Sequence, residues 1–129
     1  MVGMINQMKQ SPIFLKHYDL MAWLIPCTLA FPKSQRGVLA RQVQNELFRV
    51  QEWLVEAGTS VNPRPALAEV DKGLIRLRAY LRLCHDLKLL SVGQYQHVSR
   101  IVVEEGKLLG GWLKSLDAGH SKNTADPAG

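Results

Sequence analysis

Residues 73–87 read GLIRLRAYLRLCHDL. Leu74, Leu77, Leu81 and Cys84 recur at spacings of three and four, the repeat by which a 3.6-residue helix keeps one face apolar. The same stretch carries Arg76, Arg78 and Arg82, more guanidinium groups than a helix needs merely to be buried. Leu67 and Val70 extend the stripe backwards, so the periodicity predicts a helix from about Pro65 to Lys88.

Working outward, the preceding string GTSVNPRP holds Gly, Asn and two prolines and interrupts regular structure. Before it, Leu39, Val43, Leu47, Val50, Leu54 and Ala57 form another helical stripe. That helix is expected to start after PKSQRG and to stop at Gly58. Earlier still, Ile13, His17, Leu20, Leu24, Cys27 and Phe31 predict a first helix. Pro26 should kink or break it, because proline lacks the backbone donor and crowds the preceding turn, and Pro32 closes it. After residue 87, Ser91 is a candidate N-cap for a fourth helix reaching about Leu116. Its stripe is Val98, Ile101, Val102, Leu108, Leu109, Trp112, Leu113 and Leu116. The β-branched string RIVVEE stays in phase with that stripe, so it predicts no strand.

Four amphipathic segments with short connections predict an all-α fold, an antiparallel up-down-up-down four-helix bundle. The bundle should occupy residues 13–118, between an N-terminal extension (1–12) and a polar, flexible tail (119–129). A chain of 129 residues fits one domain, and 47% hydrophobic against 21% charged residues places it among globular rather than disordered chains.

Sixteen Lys and Arg against eleven Asp and Glu give a net charge of +5, a bias toward anionic partners. Cys27 and Cys84 lack metal-site spacing and sit in apolar patterns, which predicts free buried thiols in a reducing compartment. The opening MVGMINQMKQSP is not a secretory signal, and no apolar run approaches the ~20 residues of a membrane span. The expected location is the cytoplasm, away from membranes.

On a helical wheel, Arg78 and Arg82 flank the core sector of the third helix. Lys72 and Arg76 fall nearly opposite the core, with Leu83, Leu87 and Tyr80 on the same outward side. From Lys72 to Lys88, five cations (Lys72, Arg76, Arg78, Arg82, Lys88) face one acid, Asp86. A solvated helix whose arginine stems cover core edges would account for part of this. The missing acids and the outward leucines weigh against it. These five cations are therefore candidates for contact with an anionic partner. Phe48 and Val55, seven apart and pointing away from the second helix's stripe, join Tyr80, Leu83 and Leu87 as a candidate subunit interface.

Catalytic signals are absent. Glu46 and Glu105 fall inside apolar sectors, yet a di-iron bundle needs Glu-x-x-His pairs that the sequence lacks. Pairing with Arg or Lys is the expectation for both acids, and His17 reads as a hydrogen-bonded structural residue. GKLLGG has neither the spacing nor the strand of a phosphate loop. Gly106 and Gly110, four apart, are expected to permit close helix–helix approach. No catalytic residue, metal or cofactor is predicted.

Several strings together carry a resemblance. LIPCTLAFPKSQRG resembles the first-to-second helix junction of a four-helix bundle superfamily that includes proteins encoded in intervening sequences of bacterial 23S ribosomal RNA genes. LRAYLRL and EEGKLLGGWLKSL are similar to a narrower group, the accessory variability determinants of diversity-generating retroelements. The likeness runs from about Phe14 to Leu116. It implies a homopentamer of four-helix protomers with a basic surface, associated with the retroelement's reverse transcriptase and template RNA. It also implies a non-enzymatic part in adenine-directed mutagenic cDNA synthesis.

Arg78 and Arg82 match the paired arginines of that group, and Gly106, Gly110 and Trp112 its helix-four packing string. Lys72 and Arg76 match no motif. Five copies would carry about +25, enough to hold and steer RNA. Some of these arginines could equally pair with Glu46, Glu52, Glu104 or Glu105. The competing expectation is a bundle of the intervening-sequence type with no reverse transcriptase partner.

Overall fold

The computed structural model describes residues 11–125, apart from the side chains of Gln35 and of residues 120–125. Its main helices are α1 (Pro12–Leu29), α2 (Arg41–Thr59), α3 (Arg64–Asp86) and α4 (Val92–Ala125). A short helical turn (Lys33–Gln35) and a π-helical turn (Arg36–Ala40) lead into α2. Each helix packs on its sequence neighbours, and α4 returns to close on α1. The chain thus forms an all-α four-helix bundle, with no strand among the described residues.

The stripes read from the sequence furnish its interior. All six predicted core residues of α3 are buried, as are the six of the second segment. In α1, Ile13, His17, Leu20 and Leu24 are buried and Cys27 is half-buried, and Phe31 just past its end is buried too. Val98, Val102 and Leu109 seal the α4 side, while Ile101, Leu108, Trp112, Leu113 and Leu116 pack against the core from its rim.

Helix ends depart from expectation in instructive ways. Pro12 occupies the first turn of α1, where its missing donor costs nothing. Pro26 neither ends nor breaks α1, which continues to Leu29. Only one further turn follows it. Thr28 donates from Oγ1 to the Ile25 carbonyl (2.7 Å) and accepts from Gln44 Nε2 (2.9 Å), tying this end to α2. PKSQRG is helical rather than a plain loop, and its π turn adds the extra residue that brings Leu39 and Ala40 into the core.

Gly58 is not the stop for α2. The helix runs through it to Thr59, no described glycine has a positive φ, and extended Ser60 ends it. The left-handed stop lies instead at Lys88 (φ 62°), two residues past the end of α3. Leu89 N–H donates to the Cys84 carbonyl (2.8 Å) and Lys88 N–H to that of His85 (2.9 Å). This pair of bonds is the glycine-type Schellman closure, formed here by a lysine.

Ser91 caps α4 as its sequence position predicts. Its Oγ accepts from Gln94 N–H (3.1 Å), and Gln94 Oε1 accepts from Ser91 N–H (3.0 Å). Helix α4 then continues past Leu116 to Ala125, so 119–125 are helical rather than tail. Residues 1–10 of the expected extension and 126–129 of the tail lie outside the described residues.

Candidate functional site

The third helix sorts its cations by what surrounds them. Arg76, expected opposite the core, is half-buried on the side facing α2. Its Nε donates to Glu46 Oε1 and its Nη2 to Oε2 (3.5 Å). Glu46 is only 2% exposed and also has Arg49 Nη1 3.6 Å away. Hydrogen bonding to this carboxylate holds the Arg76 guanidinium above its ordinary range. Arg76 is therefore a seam residue between α2 and α3, and the wheel misplaced it because the two helices approach closely there.

Gly73 makes that approach possible. A methyl group at its Cβ position would stand 2.5 Å from Val50 Cγ2. Gly106 and Gly110, by contrast, face open space. The close contact expected of them is absent within the protomer and falls to Gly73. Its signal was available, since a glycine on the apolar stripe between Val70 and Leu77 marks a close backbone approach.

The remaining candidates point outward. Lys72 reaches Glu69 one turn away (3.2 Å), and Arg82 stands 3.9 Å from Asp86, with both side chains largely in solvent. Such exposed pairs hold their members weakly. Arg78 and Lys88 are exposed and pair with no carboxylate among the described residues. Of the apolar candidates, Phe48, Val55, Leu83 and Leu87 are exposed and Tyr80 is half-buried. Ile75, which the sequence reading passed over, is exposed on α3 as well.

The second internal acid is handled differently. Glu105 is wholly buried and meets His17, with both carboxylate oxygens 3.0 Å from Nδ1. Histidine, rather than Arg or Lys, is its partner. His17 Nε2 donates to the Leu47 carbonyl (2.8 Å), which fixes a proton on that nitrogen. A second proton must then lie between Nδ1 and Glu105, so the pair is neutral overall and joins α1, α2 and α4. Among the described residues no three His, Cys, Asp or Glu side chains are placed to hold a metal ion. No helix there is long and apolar enough to cross a membrane. Cys27 and Cys84 are free thiols.

The four-helix bundle is the protomer fold that the resemblance implied. A family model described as bAvd-like matches residues 8–116. The chain belongs to the bAvd-like family. No curated protein matches it. The family groups it with the accessory variability determinants of diversity-generating retroelements, an accessory and non-catalytic class. In this bAvd-like protein Arg78 and Arg82 both lie in solvent, while Arg76, two residues before Arg78, is occupied by Glu46.

Proposed function

We propose that this bAvd-like protein is a non-enzymatic subunit that binds the retroelement's reverse transcriptase and template RNA. In that role it supports adenine-directed mutagenic cDNA synthesis from a homopentameric assembly in the cytoplasm. The observation that carries the reading is the family match across residues 8–116.

Three physical features support it. Arg78, Arg82, Lys72 and Lys88 are exposed, so their charge is available without dismantling the core. Arginine suits this work because its planar fork meets phosphate oxygens two at a time and also stacks on bases. Exposed Phe48, Val55, Leu83 and Leu87 offer apolar surface for subunit contact, and five copies would raise the charge to about +25. Arg76 takes a lesser part, holding the α2–α3 seam on which the others stand.

The test is copurification of the chain with the reverse transcriptase encoded beside it, with and without template RNA, across a salt series. Recovery of a ternary complex that weakens steeply with salt is expected. Failure to recover the polymerase at low salt, with or without RNA, would overturn the reading.

A further inference from the structure

The net charge of the chain is unevenly placed along the bundle. Residues 20–45 contain no Asp or Glu, and residues 73–103 contain only Asp86. These two segments hold eight of the sixteen cations against one carboxylate, while the rest of the chain holds eight cations against ten carboxylates. All of the net positive charge therefore resides in two stretches distant in sequence.

The fold brings those stretches together. Residues 20–45 cover the end of α1, the junction and the start of α2, while 73–103 cover the end of α3, the turn and the start of α4. Both turn-bearing stretches meet at one end of the bundle. There a cavity is lined by Pro26, Ala30 and Phe31 from one stretch and by Lys88, Leu89 and Gln94 from the other. Lower down, Trp23 and His97 meet with ring centroids 4.7 Å apart. Beyond the α3 residues already considered, this end gathers Lys33, Arg36, Arg41 and Arg100. All four are exposed and pair with no carboxylate among the described residues.

We infer that the junction end of the bundle, centred on Lys33, Arg36, Arg41 and Lys88, is a binding pole for the phosphate backbone of single-stranded RNA. The inference rests on the RNA-binding reading above and deepens it, placing the contact on a pole built from both connections instead of on α3 alone. Cations on the helical junction, on the start of α2 and on the α3–α4 turn give a broad field without a fixed register, which suits phosphates better than base edges. Tyr95, half-buried and stacked on His85, and, lower down, Trp23 tilted against His97 are the aromatic groups nearest this end on which an unpaired base could stack. Leu29, Val38 and Val92 are exposed there too. They are what an apolar protein partner would use, and the experiment separates that case.

The probe is a fluorescent 20-nucleotide polyuridylate, titrated with the full chain across a salt series. Two charge-matched variants are compared, Arg36→Gln/Arg41→Gln at the pole and Lys107→Gln/Lys114→Gln on the distal part of α4. The pole variant is expected to weaken binding at least tenfold at low salt and to flatten the log–log salt slope by about 1.4, or ~0.7 per lost phosphate contact. The distal variant should stay within about twofold of wild type. Equal losses in both variants would overturn the pole while leaving RNA binding intact. Loss of polymerase copurification by the pole variant with polyuridylate affinity unchanged would also overturn it, marking a protein-docking surface. A wild-type chain that captures polymerase but no polyuridylate would overturn the pole and the RNA part of the functional reading, sparing the polymerase part.

Discussion

Arg76 of α3 and Glu46 of α2 form a two-pronged ion pair whose acid is almost completely buried and whose base is about a third exposed. One of the cations that makes α3 look like a binding surface is thereby a structural clamp. Removing it leaves a buried carboxylate with only Arg49 nearby. Arg76→Ala should cost about 2 kcal/mol in urea unfolding, less than the ~3–5 of a fully enclosed pair because water reaches this guanidinium. Arg78→Ala should stay within about 0.5 kcal/mol of wild type, as for other surface changes. Equal costs at the two positions would contradict the division drawn between them.

The His17–Glu105 pair needs a partner for Nδ1 more than it needs charge. Glu105→Gln keeps that bond, because a side-chain amide can donate to Nδ1 while Nε2 still donates to Leu47. It should cost less than about 1 kcal/mol. Glu105→Leu strands Nδ1 in the core and should cost about 1–3 kcal/mol. Thermal melts of the two variants provide the comparison, and a Gln variant as damaged as the Leu variant would indicate that an ion pair is essential.

Glycines in this chain divide by what surrounds them. Gly73→Ala drives a methyl into Val50 Cγ2 on a stiff, fully buried side chain. It should destabilise by about 1–3 kcal/mol. Gly106→Ala and Gly110→Ala meet nothing in the protomer and should each stabilise it by up to ~1 kcal/mol through helix propensity. Denaturant unfolding of the three variants checks the contrast, which collapses if Gly73→Ala is neutral.

Burial pushes the Cys84 thiol up to about 11 from the ordinary value of 9.0. Below pH 9 the thiol is protonated in both folded and unfolded chains. Above it, the unfolded chain releases that proton while the folded chain retains it. Stability should therefore fall as pH rises from 9 to 11, by up to ~2–3 kcal/mol. Cys27, half-buried and raised in the same direction, adds to the slope. Lysines and tyrosines titrate there as well, so the readout is the difference between wild type and Cys84→Ala in urea melts. Parallel pH profiles would show that Cys84 contributes nothing.

The fold was legible because its driving term is periodic. Leucines at three and four mark which face of each helix is buried, whatever the helix meets. What the sequence hid depends on distances between helices. Arg76 falls on the outward side of a wheel drawn for α3 alone, and only the approach of α2 across Gly73 brings Glu46 to it. Gly106 and Gly110 carried a spacing that fits close packing, but no neighbouring helix lies against them. Gly58 does not end α2, and the left-handed stop falls instead after α3 at Lys88, where hydrogen bonds to Cys84 and His85 select the backbone. Arg78 and Arg82 were identified through local strings and remain solvent-facing. Lys33, Arg36 and Arg41 were passed over, since their grouping with Lys88 exists only once the bundle closes.

The central claim is that the leucine-lined interior and its two internal acid clamps stand without the outward cations of α3, which are free for a nucleoprotein partner. Charge reversal at the two exposed arginines, Arg78→Glu/Arg82→Glu, tests it most directly, with capture of the reverse transcriptase–RNA complex and the urea midpoint measured on the same preparation. Capture should be lost while helical circular dichroism and the unfolding midpoint stay close to wild type. Loss of helicity in step with capture, or undiminished capture by a well-folded variant, would contradict the account.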